Sequence, residues 1–202
     1  MEKINFCKLC KHEGNINECY NCVGDCSSFF PTNRLISKLS NAGLFMIKKK
    51  KPLLILGFPG IGKSYTTSVL RNKGYIVTDS DSSLFTKDNF PNNYINHIKE
   101  CIASNYDIIF VSSHEEVRRR IAIDDAILNE SKVYIVYPSK EIKTFWINNL
   151  KSRGSSEEFC TNIAKNYDKW IDDIEKENYF DNIKIEYETS PYLLDNLYKL
   201  NK

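Results

Sequence analysis

The stretch that decides the fold is Gly57-Phe58-Pro59-Gly60-Ile61-Gly62-Lys63-Ser64, which fits the pattern G-x-x-x-x-G-K-[ST]. An apolar run, Leu53-Leu54-Ile55-Leu56, precedes it and predicts a buried strand. Residues 65–71 are predicted to continue as a helix. Because a phosphate-binding motif belongs between a strand and a helix, this order favours a phosphate loop over a chance glycine turn.

The residue types in this stretch explain how it would hold a phosphate. Its glycines let the backbone curl with its N–H groups pointing inward, which makes an anion site at a helix N-terminus. Lys63 is predicted to reach the β- and γ-phosphates of ATP, and the Ser64 hydroxyl to ligate Mg²⁺. The predicted nucleotide contacts are Gly57, Phe58, Pro59, Gly60, Ile61, Gly62, Lys63, Ser64 and Tyr65.

The composition is that of an ordinary globular chain. Its 202 residues suffice for one α/β domain with a small appendage, and 42% of them are hydrophobic. The net charge of +2 argues neither for nor against a polyanionic partner. No apolar run approaches the roughly 18 residues that span a membrane, and residues 1–6 lack the apolar segment of a secretion signal. The expected location is therefore the cytoplasm, without a membrane partner.

Five of the seven cysteines lie within the first 26 residues. An odd number of cysteines in a chain expected in the cytoplasm favours a metal site over a disulfide framework. This segment contains two C-x2-C pairs, Cys7 with Cys10 and Cys19 with Cys22. Each pair could give two thiolates to one tetrahedral Zn²⁺. Cys26 and His12 are further candidates, so the ligand set stays open, and unliganded thiols are the alternative. Since four cysteines leave no open coordination position, a structural role or contact with a protein partner is favoured over catalysis.

Two domains are predicted. Residues 1–47 form the cysteine-rich module and a connecting helix, in which Leu35, Ile36 and Leu39 share one face. Residues 48–202 form the phosphate-loop domain. This domain opens with the four lysines of residues 48–51, which are interpreted as a solvated linker, with contact to nucleic acid as the alternative.

Two aspartates, in Asp79-Ser80-Asp81, follow a second predicted strand at residues 75–78. In open α/β sheets, ligands bind at this carboxyl edge. Asp79 is predicted to lie near Mg²⁺, directly or through water, where it adds a hard oxygen ligand to that of Ser64. Asp81 is predicted to lie near the acceptor. The alternative for this segment is a polar turn with a helix cap.

The third predicted strand, residues 106–111, ends without the aspartate that many phosphate-loop ATPases carry there. This difference favours small kinases, in which strand two supplies the acid, over ATPase motors. Ser113 is predicted to cap the next helix, which has acids in its first turn. In that helix Arg118 is predicted to turn into the cleft and hold an acceptor phosphate bidentately, with three solvated arginines at 118–120 as the alternative.

A helix break is predicted at Lys151-Ser152-Arg153-Gly154. Arg153 is a lid candidate there, because it could close over the phosphates and offset charge on the transferring phosphoryl group. The alternative is a helix-terminal arginine stabilised by the helix dipole. Trp146 and Trp170, on the two flanking helices, are predicted to belong to the core. A last strand is predicted at residues 183–187.

Residues 52–202 resemble a P-loop small-molecule kinase of the nucleoside-monophosphate-kinase group. The phosphate loop, Asp79-Ser80-Asp81 and the break at Arg153-Gly154 occur in the family's expected order, and the D-x-D is also similar to that of shikimate kinases. The resemblance implies a three-layer α/β fold with a parallel five-stranded sheet in the order 2-3-1-4-5. It also implies adenine contacts near Thr189. The front cysteine segment resembles C-x2-C…C-x2-C elements often seen in phage-encoded proteins.

The resemblance also implies transfer of the γ-phosphoryl group of ATP to a small acceptor, a nucleotide or nucleoside. The predicted catalytic residues are Lys63, Asp79, Asp81 and Arg153, and the acceptor side is assigned to Asp81 and Arg118. The sequence departs from adenylate kinases in lacking an arginine-rich acceptor signature and in its short lid. One alternative is a regulatory module that binds ATP or GTP without transferring phosphate. The other is a nucleic-acid 5′-end kinase that grips its substrate with residues 48–51 and the cysteine module.

Overall fold

Strands and helices alternate along the described part of the chain. The structure is a computed structural model that describes residues 51–186 and 193–197. The strands are β1 (Leu53–Gly57), β2 (Val77–Asp79), β3 (Ile108–Ser112), β4 (Lys132–Pro138) and β5 (Asp181–Ile185). The α-helices are α1 (Lys63–Asn72), α2 (Asn92–Ala103), α3 (Glu115–Ala122), α4 (Asp125–Glu130), α5 (Lys143–Ser152), α6 (Glu157–Glu177) and α7 (Leu193–Leu197). Short 3₁₀ turns lie at Ser82–Leu84, Lys87–Asn89 and Lys140–Ile142.

The strands form one five-stranded sheet in the order β2-β3-β1-β4-β5, with every pair parallel. At its centre, Leu53 of β1 lies beside Ile108 of β3 and Lys132 of β4. The carboxyl ends of all five strands therefore meet at one edge, where ligands bind in open α/β sheets. The α/β fold and the strand order predicted from the sequence are confirmed.

Helices cover both faces of this sheet. Residues 54–56 of β1 are fully buried, although successive side chains of a strand point to opposite faces. Three consecutive buried residues need a packed layer on each side, as in other all-parallel sheets. Helix α1 packs against β2 and α7, while α2 packs against β3, α3 and α4. The result is the three-layer arrangement that the family resemblance implied.

Two element boundaries differ from the prediction. Strand β2 begins at Val77, so residues 75 and 76 precede it with exposed side chains. Helix α3 begins at Glu115, with His114 as its N-cap and no side-chain hydrogen bond at the cap, so the predicted Ser113 cap is wrong. Ser113 is buried instead, and its carbonyl, two residues before the helix, accepts a hydrogen bond from Arg118.

Asp107 joins three strands at the amino edge of the sheet. Its Oδ2 accepts a 2.8 Å hydrogen bond from the backbone N–H of Ile76, before β2. Its own N–H donates to the Ile76 carbonyl, and its carbonyl accepts from Leu53 of β1. This aspartate lies at the opposite edge from the strand ends that bind ligands, and it stabilises the sheet there.

Several predictions fall outside the described residues. The module at residues 1–47 does, with the zinc ligands Cys7, Cys10, Cys19 and Cys22, and so does the region near Thr189. The zinc site, the domain boundary and the adenine contacts there stay predictions. Within residues 51–186 and 193–197, no helix combines the length and hydropathy of a membrane span.

Candidate active site

The phosphate loop, residues 57–64, runs from the end of β1 into the first turn of α1. Gly60 and Gly62 have φ angles of +87° and +92°, in the left-handed region that favours glycine. Gly62 directly precedes α1, which begins at Lys63 and is 10 residues long. The loop therefore ends on a helix N-terminus, whose free N–H groups and dipole favour an anion.

Helix α5 supports the phosphate loop through side-chain contacts. The indole Nε1 of Trp146 donates a hydrogen bond of 3.0 Å to the Pro59 carbonyl. Gly60 lies so close to α5 that a Cβ atom there would be 2.6 Å from Cδ2 of Leu150. Phe58 is buried with its ring in edge contact with that of Trp146. Trp146 thus belongs to the core, as predicted, and also fixes the shape of the loop.

We expect Gly60→Ala to damage both the fold and the loop. The new Cβ combines left-handed strain with overlap on Leu150, so the free energy of unfolding should fall by about 2–4 kcal/mol. Displacement of the loop should weaken ATP binding at least about tenfold. Urea denaturation and ATP titration measure the two effects.

Gly74→Ala is the matched control for this variant. Gly74 has a φ of +89°, but a Cβ there would meet nothing within 4 Å. It should cost only the backbone strain, about 1–2 kcal/mol, and leave ATP affinity unchanged. Equal losses of stability in both variants, with unchanged ATP affinity, would contradict the role of α5 as a support for the loop.

Ser64 and Asp79 come together as the predicted Mg²⁺ ligands. The Ser64 hydroxyl donates a 2.6 Å hydrogen bond to Oδ2 of Asp79, at the end of β2. The other oxygen, Oδ1, is buried and has no hydrogen-bond partner among the described residues. A buried carboxylate oxygen without a partner is costly, and hard oxygens suit Mg²⁺, so this pair fits the ion.

The two ligands leave coordination positions for other groups. Within the described residues, no cluster of three or more His, Cys, Asp or Glu side chains is placed to hold a metal. Mg²⁺ in phosphate-transfer sites is typically held by one or two carboxylates together with substrate phosphates and water. A Ser64–Asp79 pair is therefore a sufficient protein contribution.

Lys63 places a positive charge between the loop and the acidic strand end. Burial lowers the pKa of its ammonium group, and the nearby carboxylates of Asp79 and Asp81 raise it in opposition. Arg153 also lowers this pKa, so its guanidinium is close enough to act on Lys63. The stem of Lys63 covers the loop, because a Cβ at Gly57 would be 2.9 Å from Cδ of the lysine. Two cations whose charges act on each other favour an anion such as a phosphate group.

Asp81 caps the 3₁₀ turn that follows β2. Its Oδ1 accepts a 2.9 Å hydrogen bond from the backbone N–H of Ser83. The cap that the sequence offered as an alternative is thus present. The side chain is nevertheless exposed, and its charge raises the pKa of Lys63 and of His114 against the lowering by burial. Its acceptor role stays a prediction.

Tyr94 of α2 joins the carboxyl ends of β2 and β3. Its hydroxyl donates to the Ser80 carbonyl at 2.7 Å and accepts from the Ser112 N–H at 2.9 Å. The side chain is fully buried, and burial raises the pKa of Tyr94 to about 12, so it stays a phenol. Sequence reasoning assigned Tyr94 only to the apolar face of a helix. It therefore missed the residue that positions Asp79 and Asp81.

We expect Tyr94→Phe to lower the free energy of unfolding by about 1–3 kcal/mol, because a buried N–H and a carbonyl each lose a partner. Turnover should fall as well, since Asp79 and Asp81 lose their support. Tyr167→Phe is the control: it removes one buried hydrogen bond, to the Ser139 carbonyl at 3.0 Å, away from the aspartates. Urea denaturation and steady-state rates compare the two. If turnover falls as much in Tyr167→Phe as in Tyr94→Phe, a specific role for Tyr94 is contradicted.

Arg153 lies at the predicted helix break. Helix α5 ends at Ser152, Arg153 is its C-cap, and Gly154 follows with a φ of +82°. The Arg153 Nε donates to the Ser155 hydroxyl at 3.1 Å, and the side chain is exposed. The break between α5 and α6 is therefore present, and closure of Arg153 over a nucleotide stays a prediction.

Arg118 turns inward, whereas Arg119 and Arg120 are exposed. Its Nε donates to Oε2 of Glu177 at 2.7 Å and its Nη1 to the Ser113 carbonyl at 2.6 Å. Only Nη2 is buried without a partner among the described residues. The predicted bidentate grip on an acceptor phosphate does not fit this arrangement, because each fork of the guanidinium already has one nitrogen engaged.

Two cavities adjoin the phosphate loop. The larger, of about 780 Å³, is lined by Phe58 and Pro59, by side chains from residues 82–90 and 113–118, and by Trp170, Asp173 and Ile174 of α6. The smaller, of about 590 Å³, is lined by residues 60–62, the end of α5 with Arg153, and Leu194 and Asp195 of α7. The first half of the loop thus faces one cavity and the second half the other. Trp170, predicted as core, is half-buried and forms part of a cavity wall.

Comparisons with known proteins support the fold. No family model matches the sequence, and no curated protein matches it. A gluconokinase from Sinorhizobium meliloti 1021 superposes with a TM-score of 0.50 at 12% identity, over 76% of this chain and 93% of that one. The YorR protein from Bacillus subtilis, in complex with phosphorylated GDP, gives 0.48 at 15%, over 74% and 92%. A shikimate kinase from Bacteroides thetaiotaomicron gives 0.44 at 11%, over 75% and 94%. At 12% identity, the similarity to the gluconokinase establishes a shared α/β fold and does not extend to the activity.

Proposed function

We propose that residues 48–202 form an ATP-dependent phosphotransferase that moves the γ-phosphoryl group to a small acceptor, a nucleotide or nucleoside. The observation that carries this proposal is the pair of cavities that share the phosphate loop. A phosphate held by the loop would lie between them. A module that only binds a nucleotide needs one such cavity, whereas a transferase needs a second for the acceptor.

The smaller cavity suits the donor nucleotide. It combines the N-terminus of α1 with Arg153 and with the apolar side chains of Trp146, Leu150 and Leu194. Backbone N–H groups and Arg153 would bind phosphates, and the apolar part would bind a base. The larger cavity, which Ser82 and Ser83 directly after Asp81 help to line, then receives the acceptor.

Lys63, Ser64 and Asp79 have complementary roles in this scheme. Lys63 would offset the negative charge that develops on the transferring phosphoryl group, and Arg153 would assist it from the donor side. Ser64 and Asp79 would hold Mg²⁺, which supplies charge that neutralises the phosphate oxygens when it is bound. Because Ser64 and Asp79 are already joined by a hydrogen bond, this pair would need little reorganisation during the reaction.

The reaction is an in-line transfer. A bond forms between an acceptor oxygen and the γ-phosphorus while the bond from that phosphorus to the bridging oxygen breaks, and ADP leaves. A hydroxyl acceptor gives its proton to the Asp81 carboxylate, and from there to water. A phosphate acceptor needs no strong base. Asp81 therefore matters most for a hydroxyl acceptor.

The direct test is ADP release from ATP and Mg²⁺ with a panel of nucleosides, nucleoside monophosphates and 5′-hydroxyl oligonucleotides. ATP binding is measured separately, for wild type and for Lys63→Ala. The proposal expects ADP release that depends on an acceptor and on Lys63. If ATP binds and Lys63→Ala abolishes binding, but no acceptor raises ADP above background, the regulatory-module alternative replaces the kinase.

For residues 1–47 we propose a structural zinc site formed by two C-x2-C pairs. Elemental analysis of protein purified without chelator should find one zinc per chain. Replacement of Cys19 and Cys22 by serine should remove it. Cys160→Ala is the control, since Cys160 is buried in α6 and outside the module. Zinc absent from wild type, or unchanged in the double variant, would contradict the site.

A further inference from the structure

The charges of the larger cavity are unsuited to an anionic acceptor. Its carboxylates are Glu115, Glu116 and Asp173, and its cations are Lys87 and Arg118. The charge of Arg118 is already offset, because Glu177 lies 2.7 Å from its Nε and the two side chains are only 4% and 11% exposed. The cavity therefore carries no surplus of positive charge from the described residues.

Glu115 has its own partner in Arg119, at 2.6 Å on the helix surface. With both pairs set aside, Lys87 shares the cavity with Glu116 and Asp173. Sites that recognise phosphate or carboxylate groups typically present arginine forks with both nitrogens available. Arg118 offers no such fork to the larger cavity, because its Nε and Nη1 are engaged and its Nη2 is buried.

Aromatic rings form much of the cavity wall. Phe85 and Phe90 pack on the buried ring of Tyr94, with centroids 4.9 and 5.9 Å away, and Phe90 also contacts His114 at 6.1 Å. Trp170 contributes a further ring from α6. Burial lowers the pKa of His114, so its imidazole is neutral near pH 7 and adds a planar surface without a charge.

We infer that the acceptor is an uncharged hydroxyl compound with a planar ring, of the nucleoside class, and not a nucleoside monophosphate or a sugar acid. This inference rests on the proposed phosphotransferase and narrows its acceptor. Aromatic walls bind a planar ring by stacking, and a cavity of about 780 Å³ accommodates a nucleoside. The acceptor hydroxyl then meets the phosphate loop beside Asp81, which takes the proton.

The test compares acceptors that differ by one group. Each nucleoside is paired with its 5′-monophosphate, which replaces the reacting hydroxyl, and with its 3′-monophosphate, which keeps that hydroxyl and adds charge. Glycerol and gluconate serve as a neutral non-aromatic acceptor and a sugar acid. We expect kcat/KM for the nucleoside to exceed that of each charged or non-aromatic compound at least about tenfold. A 3′-monophosphate or a 5′-hydroxyl oligonucleotide that reacts better than the nucleoside overturns the inference and favours an end kinase.

Cavity variants test the same inference from the protein side. Asp173→Asn and Glu116→Gln should each raise kcat/KM for the 3′-monophosphate, relative to the nucleoside, about fivefold. Glu130→Gln in α4 makes the same change of charge outside the cavity and should leave this ratio unchanged. An unchanged ratio in both cavity variants would overturn the electrostatic basis of the inference.

Variants of Trp170 test whether the aromatic wall of the cavity binds the acceptor ring. Trp170→Ala should raise KM for the nucleoside about tenfold while the Kd for ATP stays constant, and Trp170→Phe should restore most of the loss. An unchanged KM in Trp170→Ala contradicts stacking on this wall. If ATP binds but uncharged ring compounds at millimolar concentration neither react nor bind, the inference fails while the donor site stands. Absence of ATP binding would instead defeat the proposed function itself.

Discussion

Lys63→Ala is expected to abolish measurable ATP binding and to lower turnover at least about 100-fold, or about 2.7 kcal/mol of transition-state stabilisation. The Lys63 side chain is half-buried at the phosphate loop, and the charges of Asp79, Asp81 and Arg153 act on its ammonium group. Without it, the carboxylates would face the incoming phosphates with only Arg153 to oppose them. Isothermal titration with ATP and Mg²⁺, followed by ADP release, measures both losses.

Two further variants separate charge from packing. Lys63→Met keeps the apolar stem that lies over Gly57, so it should preserve stability and still lack ATP binding. Lys165→Ala removes an exposed lysine from α6 and should change neither quantity. ATP binding at wild-type affinity in Lys63→Met would refute an electrostatic role for this lysine.

Asp79→Asn is expected to lower turnover at least about 100-fold, again about 2.7 kcal/mol. The amide oxygen of asparagine can still accept the hydrogen bond from Ser64, so the strand end should keep its shape. What is lost is the negative charge on a carboxylate whose Oδ1 is buried without a partner among the described residues. We therefore expect the Mg²⁺ concentration for half-maximal rate to rise as turnover falls.

Asp107→Asn controls for the general loss of an aspartate in this sheet. Asp107 lies at the amino edge, where its carboxylate binds the Ile76 N–H, so its loss should reduce stability and spare the Mg²⁺ dependence. Mg²⁺ titrations of the rate, together with urea denaturation, distinguish the two variants. Near-wild-type turnover in Asp79→Asn would rule out the metal role given to this residue.

The parts of the site that local sequence encodes were predicted well. A strand, a glycine loop and a helix occupy adjacent positions, so residues 53–71 predict a phosphate loop without knowledge of the fold. The strand order came from the family resemblance, since apolar runs alone do not order a sheet. The proximity of Asp79 to the phosphate loop could also be predicted, because parallel strands bring their carboxyl ends to one edge of the sheet.

Contacts between distant residues were not predictable. Tyr94 reaches the Ser112 N–H, 18 residues away, and no periodicity separates it from the other apolar residues of α2. Arg118 pairs with Glu177 across 59 residues. This pair uses donor nitrogens that sequence reasoning had given to an acceptor phosphate. Capping rules likewise favoured Ser113, but the helix begins at Glu115 with His114 as its N-cap, and the Ser113 carbonyl bonds to Arg118.

The two tryptophans of the chain lie in different cavities, Trp146 in the smaller and Trp170 in the larger. Indole emission responds to the polarity of its surroundings, so each ring is an intrinsic fluorophore for one ligand. In Trp170→Phe the remaining signal comes from Trp146 and should follow nucleotide donors. In Trp146→Phe, which also loses the hydrogen bond to the Pro59 carbonyl, the signal comes from Trp170 and should follow acceptors. Under the proposed function, the protein thus contains an unlabelled optical reporter for each binding step, and the order in which its two ligands bind becomes a stopped-flow measurement.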